Sequence, residues 1–157
     1  MINDLREFIE ECRRTDQLRE INVEVDWDLE ASHVAKLNEE KGGPALFFKK
    51  IRGYESPLFM SALSTPQRLA LALGMKEGNS ICQMAREWVY LTKKGLIPPK
   101  IVDRGPVTEN IIEGDDIDVL SNFPVPRYYP LDGGRYIVTT VFLVTQYPQT
   151  CLTNLGT

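Results

Sequence analysis

Leu5, Phe8, Ile9 and Cys12 recur at three- and four-residue spacing, with Arg6, Glu10, Arg13 and Arg14 on the other side. That period predicts an amphipathic helix over 3–17. Asp4 stands where a carboxylate favours the free N–H groups of a first helical turn. Ile21, Val23 and Val25 then alternate with Asn22, Glu24 and Asp26, the pattern of a half-buried strand. Helical spacing returns through Ala31, Val34, Ala35 and Leu37 over 29–40, and Gly42-Gly43-Pro44 stops it. Residues 45–51 and 57–63 are two further strand candidates joined by a turn at Gly53. Ser64-Thr65-Pro66 reads as a hydroxyl cap with proline in the first helical turn, and Gly74 ends that helix. Another helix is predicted from Ser80 to Lys94, carrying Ile81, Met84, Ala85, Trp88, Val89 and Leu91. Residues 1–100 therefore read as a packed α/β unit, with Phe8, Val23, Val34, Phe47, Phe59, Leu71 and Trp88 expected inside.

The period is lost over 96–126. This stretch holds five of the ten prolines and reads as a connecting arm laid over a surface. Its acidic group, Glu113, Asp115, Asp116 and Asp118, suits either a hard cation or a solvated turn capped at Asp115-Asp116. The spacing of an EF-hand loop is missing, which favours the turn. From 127 onward the character is β. Asp132-Gly133-Gly134 leads into Tyr136–Thr145, rich in β-branched and aromatic residues. The paired glycines suit a tight turn, or a loop shaped to admit a ligand. A short polar turn then leads to Cys151-Leu-Thr-Asn-Leu-Gly-Thr157, strand-like and with no partner after it. Its hydroxyls, carboxamide and glycine suit a phosphate or an oxygen-coordinated cation, and equally an edge strand. The ending reads as the rim of a binding site whose other wall lies on further polypeptide.

Composition narrows the function classes. The 157 residues carry a net charge of −4, and no Lys/Arg cluster exceeds a pair such as Lys49-Lys50, so no footprint for nucleic acid is present. No apolar run approaches the roughly 20 residues of a membrane span. The charged start, Asn3-Asp4-Leu5-Arg6, does not read as a signal peptide. Cys12, Cys82 and Cys151 form neither a disulfide framework nor a zinc pattern, which predicts a cytoplasmic protein. His33 is the single histidine and reads as a surface or satisfied helix residue.

Seven segments occur in one order: Asp4-Leu-Arg-Glu-Phe-Ile, Gly43-Pro-Ala-Leu-Phe-Phe, Arg68-Leu-Ala-Leu-Ala-Leu-Gly74, Gly105-Pro-Val-Thr-Glu-Asn, Phe123-Pro-Val-Pro-Arg, Asp132-Gly-Gly-Arg-Tyr-Ile and Thr153-Asn-Leu-Gly. Together they resemble the N-terminal portion of a UbiD-family decarboxylase, an enzyme that uses prenylated FMN. The resemblance runs over essentially the whole chain and over the first part of the family's length. It implies an α+β fold: a mixed α/β N-terminal unit (1–100), a connecting arm (101–126) and the first strands of a split β-barrel-like flavin-binding domain (127–157).

By the same resemblance Asn154 helps hold a divalent metal, Mn or Mg, that bridges to the cofactor phosphate. Gly156 and Thr157 run along the cofactor, with Thr153 flanking them as a cofactor-binding residue, and Thr139 lies near the substrate pocket. A potassium ion is a further candidate cofactor. The family's catalytic arginine and two glutamates fall after Thr157, so no catalytic residue is assigned. Tyr128-Tyr129-Pro130 stands where many members carry a histidine before the proline. The implied activity is reversible, non-oxidative decarboxylation of an aromatic or α,β-unsaturated carboxylic acid, with this chain inactive by itself. The implied partners are the small acid substrate, the remaining C-terminal part of the enzyme or a second subunit, and further copies in a homo-oligomer. Two other readings stay open: a small subunit of a split (de)carboxylase, and a non-catalytic flavin- or nucleotide-binding module.

Overall fold

The computed structural model describes residues 2–76, 78, 80–95, 98, 100–137, 143–150 and 152–156. Helix α1 (Leu5–Arg14) starts where the Asp4 carboxylate accepts the Glu7 N–H at 2.8 Å. Strand β1 (Leu18–Val25), helix α2 (Glu30–Glu40) and strand β2 (Ala45–Ile51) form a β-α-β unit, with β1 and β2 parallel. Strand β3 (Leu58–Met60) pairs antiparallel to β2, giving a mixed sheet in the order β1-β2-β3. A parallel pair needs a crossover, and α2 supplies it.

The core lies where α2 meets the sheet. Ala31 and Ala35 bring the helix close, against Val25, Leu46, Phe48 and Ile51. Phe47 faces the other way, as strand alternation requires, and meets Phe59, on whose ring Phe8 of α1 sits edge-on at 6.2 Å. Helix α3 (Pro66–Ala72) carries the expected cap: Thr65 accepts the Arg68 N–H, and Pro66 opens the first turn. Gly74 at φ +64° ends it. Helix α4 (Ile81–Lys93) opens with a reciprocal Ser80–Gln83 capping box. Two 3₁₀ turns, Pro106–Thr108 and Gly114–Asp116, and a short helix α5 (Val119–Asn122) punctuate the exposed stretch that follows. Strands β4 (Leu143–Gln146) and β5 (Thr153–Gly156) form a separate antiparallel ladder. The α+β class expected from the pattern is the class observed.

The expected core needs correction in three places. Val23 is 68% exposed, because β1 carries one extra residue between Ile21 and Glu24 relative to β2 and the two-residue alternation breaks there. Val34 is 38% exposed, because α2 turns its small residues Ala31, Ser32 and Ala35 to the sheet instead. Trp88 is 51% exposed: α4 packs through Met84 against Ala70 and Met75, while Ile81, Trp88 and Leu91 on the same stripe face outward. Phe8 is buried, and Phe47, Phe59 and Leu71 are half-buried. Trp88→Ala in this chain is accordingly expected to cost about 1 kcal/mol or less, not the roughly 3–5 kcal/mol of a core truncation. Urea unfolding followed by circular dichroism checks this, and a loss above 3 kcal/mol would show that α4 is covered in solution.

Other expectations resolve individually. His33 is exposed on α2. The acidic stretch is capping chemistry, but the cap is Asp118, not Asp115-Asp116. Asp118 accepts the Ser121 N–H at 3.1 Å and the Ser121 hydroxyl at 2.6 Å, which lowers its pKa. Among the described residues no group of His, Cys, Asp or Glu could hold a metal ion, and no helix is long and apolar enough to cross a membrane.

Candidate functional site

The arm returns to the first unit at Pro124-Val125-Pro126, all buried, and is fastened to the loop between β1 and α2. The Arg127 N–H donates to the Trp27 carbonyl at 3.1 Å, and the Leu29 N–H donates to the Arg127 carbonyl at 3.2 Å. The buried Ser32 hydroxyl lies 2.9 Å from the same Arg127 carbonyl and 2.8 Å from that of Leu29. Arg127 also pairs with the Asp28 carboxylate at 3.4 Å. Leu29 adopts φ +69°, a left-handed conformation that costs a branched side chain energy. The hydrogen bonds on both sides hold it there.

The Asp132-Gly133-Gly134 turn is made by its aspartate. The Asp132 carboxylate accepts the Tyr129 N–H at 3.0 Å, and the Asp132 N–H donates to the Tyr129 carbonyl at 3.1 Å. Neither glycine has a positive φ, and a Cβ added at either would meet open space among the described residues. The tight-turn reading of the glycine pair therefore prevails over a close backbone approach. Arg135, next in line, lies over the Trp27 ring with its guanidinium carbon 3.5 Å from the centroid. It donates to the Tyr54 hydroxyl, which in turn donates to the Leu120 carbonyl at 2.5 Å.

Two hollows flank this junction. One, of about 470 Å³, lies between β3 and the arm, lined by Leu58, Met60, Ser61, Val125, Tyr128 and Glu39 among others. The second, about 420 Å³, is bounded by Glu39, Tyr128, Tyr129, Asp132 and Tyr136. Burial raises the pKa of the Tyr128 phenol, and Glu39 raises it further, so the hydroxyl stays a neutral donor. The charged residues lining these hollows are carboxylates, which would repel an acid. Among the described residues that line them, no cation is present to pair with a carboxylate substrate.

Of the residues the sequence pointed to, three come together on β5. Asn154 pairs with Thr145 of β4, Gly156 with Leu143, and the exposed Thr153 with Gln146. The connecting turn closes with the Tyr147 N–H on the Leu152 carbonyl at 2.9 Å, so the terminal strand folds back on β4. Thr139 and Thr157 lie outside the described residues, as do 138–142 of the strand expected over Tyr136–Thr145, whose last three residues fall in β4. Tyr136 and Ile137 themselves are not in a strand. Ser32, Trp27 and Tyr54 were missed. A lone serine inside a helix pattern carries no signal, whereas Arg135 was visible inside its motif.

Two family models divide the chain in order. That of the 3-octaprenyl-4-hydroxybenzoate carboxy-lyase N-terminal domain matches residues 9–88. That of the Rift-related domain of the same carboxy-lyase matches residues 100–157. The chain belongs to the UbiD family.

Several solved structures superpose closely on the chain. Vanillic acid decarboxylase from Sedimentibacter hydroxybenzoicus, in its closed form, is 30% identical with a TM-score of 0.83, over 94% of this chain and 32% of that one. An evolved dimeric form of the UbiD-class enzyme HmfF from Pelotomaculum thermopropionicum, in complex with prFMN, is 25% identical with a TM-score of 0.77, over 97% and 34%. The apo 3,4-dihydroxybenzoic acid decarboxylase from Enterobacter cloacae shares the fold at 24% identity and a TM-score of 0.76, over 99% and 34%. The chain thus spans about a third of the length of these solved structures.

Proposed function

We propose that this chain supplies the N-terminal part of a prenylated-FMN-dependent decarboxylase acting reversibly on an aromatic or α,β-unsaturated carboxylic acid. The consecutive match of both UbiD domains carries the proposal, and the HmfF structures solved with prFMN and with FMN support the cofactor class. The donors at the cofactor position fit in part. Thr153, Asn154 and Gly156 bring hydroxyl, carboxamide and backbone groups to one short strand, a neutral set suited to a phosphate and the divalent cation, Mn or Mg, beside it. One amide cannot hold a divalent ion alone, and no acidic or imidazole cluster accompanies it among the described residues. The remaining ligands belong, on this reading, to polypeptide outside these residues.

When bound, the flavin supplies the electron sink that ordinary side chains lack for charge left on an sp² carbon. This chain's own contribution is positional. Asn154 and its neighbours anchor the phosphate end, Thr139 lines the substrate side, and the first unit holds the returning arm at Arg127 and Arg135. Proton delivery lies with groups outside the chain. The proposal includes a cytoplasmic homo-oligomer completed by the remaining part of the enzyme or by a second subunit.

The test compares the 157-residue chain alone with the protein completed by its remaining part, both with prenylated FMN and Mn²⁺. Release of CO₂ from aromatic and acrylic acids is expected from the completed protein and not from the chain. Release by the chain alone, or a completed protein that retains no flavin, would overturn the assignment.

A further inference from the structure

Arg135 follows the Asp132-Gly133-Gly134 turn and precedes the segment that leads through Thr139 to β4, the pairing partner of β5. Two elements of the first unit and one of the arm hold it. Trp27, from the loop after β1, lies under the guanidinium at 3.5 Å from the ring centroid. Tyr54, from the turn between β2 and β3, accepts from Nη1, and its ring centroid lies 6.0 Å from the guanidinium carbon. The Leu120 carbonyl of α5 accepts from the Tyr54 hydroxyl at 2.5 Å and lies 3.4 Å from Arg135 Nη1. No carboxylate takes part in these contacts, so the recognition is a cation–π contact with directed hydrogen bonds, a combination in which arginine and lysine differ.

Trp27 is also the residue whose carbonyl receives Arg127, eight positions earlier in the returning arm. One short loop therefore grips the chain on both sides of the Tyr128–Gly134 turn.

We infer that Arg135 is a positioning residue, a latch on Trp27 and Tyr54 by which the first unit sets the course of the chain entering the cofactor-binding strands. The inference rests on the reading of β5 as the cofactor strand for its functional meaning, and on the contacts alone for its mechanics. Without the latch, the 127–137 segment keeps the Arg127 contacts at its start and loses its hold at the end, so the strands that follow lose their fixed origin.

The experiment uses the 157-residue chain in a Trp88→Phe background, where Trp27 is the one indole left. Amide hydrogen exchange and Trp27 emission are compared for the parent, Arg135→Ala and Arg135→Lys. For Arg135→Ala, exchange over 129–137, read at the bonded Tyr129 and Asp132 amides, is expected to rise at least about tenfold and Trp27 emission to shift to the red, while β2 changes less than about twofold. Arg135→Lys keeps the charge without the plane and recovers a minor part of that protection. Unchanged exchange over 129–137 would overturn the latch, and full recovery by lysine would overturn the arginine-specific contact. An equal rise in β2 would make Arg135 a general stabiliser and also overturn the inference. None of these readouts needs flavin, so failure of the cofactor reading appears separately, as a completed protein that retains no flavin.

Discussion

Arg68→Met is expected to destabilise the chain by about 3–5 kcal/mol, a large share of the roughly 5–15 kcal/mol that holds a domain together. Arg68 is 0% exposed. Its Nε donates to the Ala62 carbonyl at 3.0 Å and its Nη1 to the Gln17 carboxamide at 3.3 Å. Nη2 reaches the Gly43 and Ser61 carbonyls at 3.0 and 3.1 Å and the Ser64 hydroxyl at 2.7 Å. One side chain thus ties α3 to the turn after α1, the entry to β2 and the exit from β3. Burial pushes its pKa below the usual arginine range, and Cys12 and Glu39 partly offset that. Hydrogen bonds to neutral oxygens stabilise the charge.

Methionine fills much of the volume but leaves several buried acceptors unpaired, each costing about 1–3 kcal/mol. Relief from burying a charge returns part of that, which sets the net figure. Arg68→Lys keeps the charge and reaches fewer of the acceptors, so it should lie between methionine and the parent. Urea unfolding at constant m-value measures both. A shift below about 0.5 kcal/mol for Arg68→Met, the size of an ordinary surface change, would show that this network contributes little.

The second large effect is expected at Asn154 in the completed protein. An amide oxygen adds a ligand without adding negative charge beside a phosphate. Asn154→Ala removes the ligand and should weaken metal-dependent flavin retention by at least about tenfold, in the range seen when groups around a metal are deleted. Asn154→Asp keeps an oxygen at the same reach but adds charge next to the phosphate, so it should retain part of the binding. Equilibrium dialysis of Mn²⁺ and prenylated FMN against the three proteins decides it. Equal retention by the parent and Asn154→Ala would remove Asn154 from the site.

What was legible in the chain is what local chemistry decides. The Asp4 and Thr65 caps, the Pro66 helix start, the turn at Gly53 and the stop at Gly74 each depend on atoms within four residues, so spacing and residue type suffice to find them. The seven motifs in order carried the family assignment for the same reason: each is a short run readable in place. Burial was legible only where an element keeps its ideal period and has a partner. Phe8 satisfies both conditions, whereas Val23 fails the first through the bulge in β1, and Trp88 the second.

Only the tertiary structure decided the polar joints. Arg68 sits in an alternating Leu/Ala helix pattern where a charge reads as solvated, yet two of its acceptors, on Gln17 and Gly43, come from far back in the chain. Ser32 meets Arg127 across 95 residues, and Arg135 meets Tyr54 across 81. A polar side chain carries no periodic signature of its partner. Its burial depends on whether distant backbone oxygens or hydroxyls converge on it, and that convergence exists only once the β-α-β unit is packed and the arm has returned to it.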